Sequence, residues 1–146
     1  MPRELRTEIV INASAEKVWN QLMDFESYSE WNPFVKKISG EQRESAKLRV
    51  NLQPNGGREM TIKPKITKCN PNEQFAWKGK LFIPRLFDGE HIFEIKPISE
   101  SQIRFIHREE FRGLLMRPIL RSVGKKTRQG FEEMNKALKE RVESRD

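Results

Sequence analysis

Apolar residues recur at two spacings along the chain, and the change from one spacing to the other marks the predicted elements. The stretch TEIVIN near the start has the pattern of a strand. The stretch ASAEKVWNQLMDF then pairs Val18 with Leu22 at helical spacing, and Ser14 suits the N-cap. The sequence therefore predicts a strand followed by a helix.

The segment ESYSEWNPFV is too polar and too interrupted for a long helix, and it predicts a short one that ends before Pro33. From Val35 to Gly113, short apolar runs are separated by turn signals such as NGG, which predicts six strands. Pro64 predicts an edge or a bulge in its strand, because proline has no N–H to donate. The middle of the chain is therefore predicted to be a meander.

The last segment returns to helical spacing and predicts one long helix. Its apolar stripe consists of Ile119, Val123, Thr127, Phe131, Met134, Leu138 and Val142. Pro118 suits the first turn of this helix, and the opposite face carries basic residues. The predicted order is β-α-α, six strands and one long α-helix, which gives an α+β fold in a single domain covering residues 1–146.

The composition limits the classes of protein to which the chain can belong. A length of 146 residues suits one domain with a core of its own. A single cysteine, Cys69, excludes an intramolecular disulfide and a structural zinc site built on a cysteine cluster. The start of the chain lacks the apolar run of a signal peptide, and no stretch is apolar for about 18 residues. We therefore expect a cytoplasmic protein.

The net charge of +7 directs attention to acidic partners: nucleic acid, an anionic lipid surface or an acidic ligand. The run from Arg112 to Gly130 contains six basic residues and no acidic one. Beyond Gly130 basic residues alternate with glutamates, and the sequence contains no recognised DNA- or RNA-binding motif. Nucleic acid is therefore the least favoured of these partners.

The stretch FIHREEFRG places polar groups on the inner face of a strand. Side chains alternate between the two faces of a strand, so Phe105, His107, Glu109 and Phe111 share one face. The other face carries three charges in four positions, which makes the aromatic face the inner one. A histidine and a carboxylate are therefore predicted to point inward.

A second inward histidine, His91, comes from the preceding strand, where it shares a face with Phe93 and Ile95. Antiparallel pairing of the two inner faces sets His91 opposite either His107 or Glu109, and in both registers the three side chains converge. Three interpretations remain open: a polar or structural cluster in a pocket, a general acid/base pair, and a metal site of two histidines and one carboxylate.

The order of elements resembles that of the START-like helix-grip superfamily, and three stretches carry the resemblance: VINASAEKVWNQLMDFESYSEWNPFV near the start, then GEHIFEI and RFIHREEFRG before the terminal helix. The branch that the chain resembles is that of the polyketide cyclase/dehydrase (SRPBCC) domains, over roughly residues 7–142. The resemblance implies a curved antiparallel sheet wrapped around a long C-terminal helix, with an internal cavity between them. The ligands expected for such a cavity are hydrophobic or amphipathic.

The resemblance also implies which side chains line the cavity. The expected ligand-binding residues are Trp31, Phe34, Trp77, His91, Phe93, Phe105, His107, Glu109, Phe111, Ile119, Val123, Thr127 and Phe131. Because the superfamily has no universal catalytic triad, it assigns no catalytic residue, and we expect no cofactor and no bound metal.

A further surface is predicted where three loops meet at one end of the meander. Its apolar residues are Phe82, Ile83, Leu86, Phe87, Leu114, Leu115, Met116 and Leu120, and its basic rim consists of Arg58, Arg85, Arg112, Arg117 and Arg121. Such a surface suits docking on an anionic membrane, where each basic residue adds about 1 kcal/mol. The same side chains equally suit a plug for the cavity or a dimer contact.

These observations favour a binding or carrier domain for a small hydrophobic or amphipathic ligand, such as a lipid or a polyketide-like compound. The alternative is an enzyme of the polyketide cyclase/dehydrase type that uses His107 with Glu109 or His91 as acid/base. The third interpretation is an interaction module that docks on an anionic membrane.

Overall fold

The secondary structure was obtained from a computed structural model. It describes residues 3–53, 57–80, 88–113 and 116–144, and it gives the backbone alone at residues 3, 80, 88, 116–120, 122 and 123. In chain order the elements are β1 (Arg3–Ile11), α1 (Ala15–Leu22), a 3₁₀ turn (Phe25–Ser27), α2 (Tyr28–Trp31), β2 (Val35–Ser39), β3 (Arg49–Leu52), β4 (Met60–Ile62), β5 (Lys65–Asn70), β6 (Gln74–Lys80), β7 (Asp88–Ser99), β8 (Gln102–Arg112) and α3 (Met116–Glu143).

Two antiparallel sheets carry the strands. The larger has the order β1-β8-β7-β6-β5 and the smaller the order β2-β3-β4. They are joined by a bridge between Lys47 and Lys65 and by a hydrogen bond of 2.8 Å from Leu48 N–H to Pro64 C=O. The curved five-stranded sheet and the long C-terminal helix confirm the predicted α+β helix-grip architecture.

The strand count differs from the prediction. The described residues between Val35 and Gly113 form seven strands, not six. The additional strand arises because β4 and β5, which flank Pro64, belong to different sheets. Since proline donates no hydrogen bond, it suits the point where the chain leaves one ladder and enters the next. Where the sequence predicted an edge or a bulge at Pro64, the structure has a break between two strands.

Polar side chains at the predicted helix boundaries hold the start of the fold. Ser14 Oγ accepts a hydrogen bond of 3.1 Å from Lys17 N–H, as expected of an N-cap. The short α2 ends before Pro33, and Asn32 Oδ1 then accepts the N–H groups of Phe34 at 2.9 Å and Val35 at 2.8 Å. This turn directs Phe34 toward the interior, where it is 3% exposed.

The second half of α3 packs into the sheet. Its buried apolar residues are Phe131, Met134, Leu138 and Val142. They confirm the predicted stripe over this half of the helix, and burial of each such side chain contributes about 1.5–3 kcal/mol. Ile119 and Val123 lie on α3, but their side chains fall outside the described residues.

Basic side chains of α3 also cover the open edge of β1. Arg128 Nη1 donates to Arg6 C=O at 2.7 Å, and Lys139 Nζ donates to Val10 C=O at 2.8 Å. An edge strand with unpaired carbonyls is a template for pairing with another chain. The helix therefore protects this edge as well as filling the concave face.

The outer face of the sheet is charged. Arg108 there pairs with Glu94 at 2.8 Å, Glu110 at 2.7 Å and Glu4 at 3.0 Å. Burial acts to lower the pKa of the Arg108 guanidinium, but its hydrogen bonds to Glu94 and Glu110 outweigh that effect and raise it. The helices within the described ranges include none that is both long and apolar enough to cross a membrane.

Candidate functional site

Three titratable side chains meet between the sheet and α3. The register of β7 and β8 sets His91 opposite Glu109 and Phe93 opposite His107, which decides between the two predicted pairings. His91 Nε2 lies 2.6 Å from His107 Nε2, and His91 Nδ1 lies 3.4 Å from Glu109 Oε1. The predicted convergence of these three residues is therefore observed.

Two further polar residues extend this cluster into a chain of hydrogen bonds. Asn135 of α3 places Oδ1 2.8 Å from His107 Nδ1, and its Nδ2 donates to Thr7 Oγ1 at 2.8 Å. Thr7 Oγ1 in turn donates to the backbone oxygen of His107 at 2.8 Å. We call Thr7, Asn135, His107, His91 and Glu109 the polar chain; it joins β1, α3, β8 and β7.

Burial controls the charge of His107, which has no exposed surface. Burial lowers its pKa well below the usual value, and the nearby His91 lowers it further. Hydrogen bonds to Asn135 and to the backbone of Phe131 oppose this shift without overcoming it. His107 is therefore a neutral imidazole at physiological pH.

Aromatic rings enclose both histidines. Trp77 stacks on His91 with 4.9 Å between ring centroids and 22° between planes. Phe131 stacks on His107 at 4.1 Å and 12°, and Phe93 lies 4.7 Å from the same ring. These contacts hold the two rings in the orientations that their hydrogen bonds require.

Glycines make room for two members of the site. A Cβ at Gly89 would collide with the Glu109 carboxylate, so this carboxylate lies directly over the glycine. On α3, a Cβ at Gly130 would come within 2.7 Å of Phe34 Cδ1. The missing side chains therefore let Glu109 and Phe34 approach the backbone closely.

Gly89 also pairs with Gly79 across β7 and β6, on the same inner face as His91 and Trp77. Phe111 pairs with Gly89 from the other side. Two adjacent glycines leave the sheet without side chains at this point. Glu109 covers Gly89, and Pro64 lies against Gly79. The Glu109 side chain is 13% exposed, whereas that of His91 is 2% exposed.

The sequence pattern of one protein family matches nearly all of the chain. The family is described as "Polyketide cyclase / dehydrase and lipid transport", and the match covers residues 2–143. The chain belongs to this family. Among curated protein sequences a search finds no significant match.

Solved structures share the fold of this family member. A START superfamily protein from Mycobacterium smegmatis has a TM-score of 0.74 and 22% identity, with 97% of each chain covered. The Zhui aromatase/cyclase from Streptomyces has a TM-score of 0.71 and 14% identity, with 97% of this chain and 96% of that chain covered. The di-domain ARO/CYC StfQ of the steffimycin biosynthetic pathway has a TM-score of 0.70 and 15% identity. The alignment covers 99% of this chain and 53% of StfQ, so the family member spans about half of StfQ.

The other predicted ligand-binding residues have different surroundings. Phe105 has no exposed surface and stacks on Phe93, and Phe111 is also buried. Thr127 is half-buried on α3, and Trp31 packs on Tyr28 with 5.2 Å between ring centroids. The ring contacts of the two histidines thus bring together Phe34, Trp77, Phe93, Phe105 and Phe131. Contact of any of these residues with a ligand stays a prediction.

The Nε2 atoms of the two histidines are hydrogen-bonded to each other, so the polar chain does not form a metal site. The Nε2 atoms of His91 and His107 lie 2.6 Å apart and hydrogen-bond each other, which leaves no room for a shared ion at about 2.0–2.1 Å from each. No group of three His, Cys, Asp or Glu side chains in the described ranges is arranged to hold a metal ion.

A groove of about 220 Å³ lies on the opposite, outer side of the sheet. It is lined by Lys78, Gly89, Glu90, Glu110 and Arg112. Because four of these five residues carry charges, the groove does not suit an apolar ligand. We therefore place the candidate site on the inner face, at Glu109.

The predicted membrane-docking surface is only partly described. Phe82, Ile83, Arg85, Leu86, Phe87, Leu114 and Leu115, and the side chains of Met116, Arg117 and Leu120, lie outside the described residues. Its remaining rim residues, Arg58, Arg112 and Arg121, are exposed. Docking on an anionic membrane stays a prediction.

Proposed function

We propose that the protein binds a small hydrophobic or amphipathic molecule between the five-stranded sheet and α3, with the polar group of that molecule against Glu109. The observation that carries this proposal is the Glu109–His91 pair, which forms the most exposed end of an otherwise buried polar chain. Membership of a family whose description includes both polyketide cyclases and lipid transport supports such a ligand.

The surroundings of Glu109 support an apolar ligand. The carboxylate lies over Gly89, beside Gly79, and the neighbouring inner positions hold Trp77 and Phe111. Aromatic walls with one or two well-placed polar groups are typical of small-molecule sites. A lipid or a polyketide-like compound would satisfy both parts of this environment.

The second candidate is an acid/base enzyme of the polyketide cyclase/dehydrase type. Both ring nitrogens of His107 are already hydrogen-bonded, to His91 and to Asn135, and its ring is fully buried. A base that touches the ligand must be reachable, so this role would fall to Glu109 with His91, and His107 would orient His91. The name of the Zhui aromatase/cyclase, which shares the fold, gives this candidate its reaction class.

We also propose a cytoplasmic location. The single cysteine, Cys69, is a free thiol, and a reducing compartment preserves such a group.

The experiment that tests ligand binding compares native and denatured mass spectra of gently purified protein. We expect an additional small molecule in the native spectrum, and we expect Gly89→Ala to retain less of it, because the new methyl group displaces the Glu109 carboxylate. Gly79→Ala is the matched control: its methyl group would meet Pro64 Cβ at 3.5 Å, which is an ordinary contact.

Two outcomes would count against the proposal. If Gly89→Ala and Gly79→Ala retained the small molecule equally, Glu109 would not be part of the ligand site. A wild-type protein that carries no small molecule and does not enhance the fluorescence of the apolar dye anilinonaphthalene sulfonate would contradict ligand binding itself.

A further inference from the structure

The hydrogen bonds of the polar chain have a fixed direction, and the direction begins at Thr7. The backbone oxygen of His107 can only accept, so the Thr7 hydroxyl donates to it, at 2.8 Å. The lone pairs of Thr7 Oγ1 are then available to Asn135, whose Nδ2 donates to it at 2.8 Å. This assigns the orientation of the Asn135 amide.

The amide orientation in turn sets the tautomer of His107. With Nδ2 facing Thr7, Asn135 presents Oδ1 to His107 Nδ1 at 2.8 Å, and an oxygen without hydrogen requires an N–H opposite. Because neutral His107 carries one ring proton, that proton is on Nδ1, and Nε2 is an acceptor.

The direction then passes to His91. Its Nε2 lies 2.6 Å from the bare Nε2 of His107, so His91 Nε2 carries a proton and donates it. The other nitrogen, His91 Nδ1, faces Glu109 Oε1 at 3.4 Å. With a neutral His91 and an ionised Glu109, two acceptors would face each other at this position. One additional proton removes that conflict.

We propose that Thr7 and Asn135 are positioning residues that direct the polar chain, so that His91 and Glu109 together hold one proton at the ligand end. The proton is either on His91, as an imidazolium beside a carboxylate, or on Glu109, as a carboxylic acid beside a neutral ring. In both forms the pair has no net charge. The part of this inference that concerns the ligand rests on the proposed function.

Among the side chains that the structure describes, aromatic and neutral polar groups surround the two histidine rings. The described side chains in ring contact with the two histidines are Trp77 of β6, Phe34 of the turn before β2, Phe93 of β7, Phe105 of β8 and Phe131 of α3. From β1 and α3, Thr7 and Asn135 add neutral polar groups. Glu109 is thus the titratable partner that His91 meets besides His107, among the side chains that the structure describes.

An uncharged pair selects the chemistry of the ligand. A carboxylate ligand would bring an uncompensated negative charge against Glu109, and burial of such a charge is costly. A hydroxyl or carbonyl group would instead exchange a hydrogen bond with the pair at no cost in charge. The site is therefore suited to an apolar molecule with a neutral hydroxyl or carbonyl group, in preference to one that ends in a carboxylate.

The direct test is nuclear magnetic resonance of the full chain, uniformly labelled with ¹⁵N and ¹³C, near pH 7. We expect His107 to show one protonated and one bare ring nitrogen, with the proton on Nδ1. We expect either two protonated nitrogens on His91 or a protonated carboxyl carbon shift at Glu109. A His107 proton on Nε2, or a neutral His91 together with an ionised Glu109, would overturn the inference.

Substitutions at Thr7 separate positioning from packing. Thr7→Val keeps the shape but removes the hydroxyl, so Asn135 is no longer held and the chain of donors can reverse. In the reversed direction His107 donates from Nε2, and neutral His91 donates from Nδ1 to Glu109, so the additional proton is lost. Thr7→Ser restores the hydroxyl and should restore the wild-type spectrum.

An unchanged His91 signal in Thr7→Val would contradict the positioning role. Asn135→Leu provides a second variant in case Thr7→Val does not fold, and it should show the same loss of the proton. The wild-type spectrum decides the inference even if neither variant folds.

The ligand class is tested with a matched pair of probes, 1-naphthol and 1-naphthoate, through quenching of tryptophan fluorescence. Trp77 stacks on His91, so a probe beside Glu109 should quench it. We expect tighter binding of the naphthol, and tighter binding of the naphthoate would overturn the preference for a neutral group. Failure of both probes to bind would count against the proposed function, whereas the proton assignment is decided by the spectra without any ligand.

Discussion

His107 makes folding of this protein dependent on pH, because the folded state keeps its imidazole neutral. Burial and the neighbouring His91 lower its pKa in the folded state, whereas in the unfolded chain a histidine titrates near its usual value of about 6.5. Below that pH the unfolded state binds one proton more than the folded state. The contribution of His107 to stability is therefore complete above about pH 6.5 and is lost progressively as the pH falls.

We predict that the free energy of unfolding decreases between about pH 6.5 and pH 5 with a slope of up to about 1.4 kcal/mol per pH unit from this residue. Urea unfolding at a series of pH values measures the slope. The variant His107→Gln cannot titrate, so its stability should be lower throughout but should depend less on pH in this range. An equal slope in both proteins would contradict the assignment.

Sequence reasoning identified only part of the polar chain at this scale. The alternation of FIHREEFRG and of EHIFEI was sufficient to place His91, His107 and Glu109 on inner faces, because the period of a strand fixes the face of each side chain. Thr7 and Asn135 were missed, although the first lies in the predicted first strand and the second in the predicted terminal helix. Their hydrogen bond joins positions 128 residues apart, and no local pattern encodes that contact.

A β-bulge sets the register that brings His91 to Glu109. Next to the turn between β7 and β8, Ser99 pairs with Gln102. If this register continued along both strands, His91 would lie opposite Glu110. An irregularity between Pro97 and Ser99 shifts the pairing by one residue, so that the two inner faces meet. The sequence predicted that the inner faces must pair, but it left two registers open because the bulge was not recognised from Pro97.

The contacts of α3 with the edge of β1 suggest a test of edge protection. We predict that Arg128→Ala combined with Lys139→Ala increases self-association, because the C=O groups of Arg6 and Val10 lose their donors. Light scattering over a range of protein concentrations measures the effect. The change in stability should be small, since exposed charged groups contribute little.

The matched control removes the same charge from exposed positions of the same helix. Lys125→Ala combined with Lys136→Ala should leave the association state as in the wild type. Equal self-association of the two double variants would attribute the effect to net charge and not to the edge.

The whole molecule consists of a continuous unit, formed by the five-stranded sheet and α3, and a smaller sheet attached to it. The smaller sheet ends in β4, which has three residues and exposes Met60 at 45%. The interior strands β7 and β8 instead carry the fully buried Phe93, Phe105 and His107. Local stability follows buried contacts, so these two parts should open at different free energies.

We predict that native-state amide hydrogen exchange is fastest in β4 and slowest in the centres of β7 and β8. Exchange followed by nuclear magnetic resonance at increasing low concentrations of denaturant would resolve the two groups. If β4 amides exchanged as slowly as those of β8, the molecule would unfold as one cooperative unit, and the division would be wrong.

The large-scale architecture was the most predictable part of the fold. A change from strand spacing to helical spacing after Gly113 indicated the terminal helix, and its stripe from Phe131 to Val142 is buried as predicted. Division of the strands between two sheets was not predicted. It depends on which strands pair, which is decided by contacts such as Leu48 to Pro64 and not by the pattern of any one strand.

The order in which the ribosome makes these elements differs from the order in which they complete the interior. Strands β1 to β8 are synthesised before α3, so a nascent chain presents the concave aromatic face, with both histidines, before Phe131 and Asn135 are available to cover it. Exposed apolar surface of this kind is what chaperones bind during synthesis. Because α3 follows the strands in the chain, translation that stops before α3 leaves the aromatic face of the five-stranded sheet uncovered.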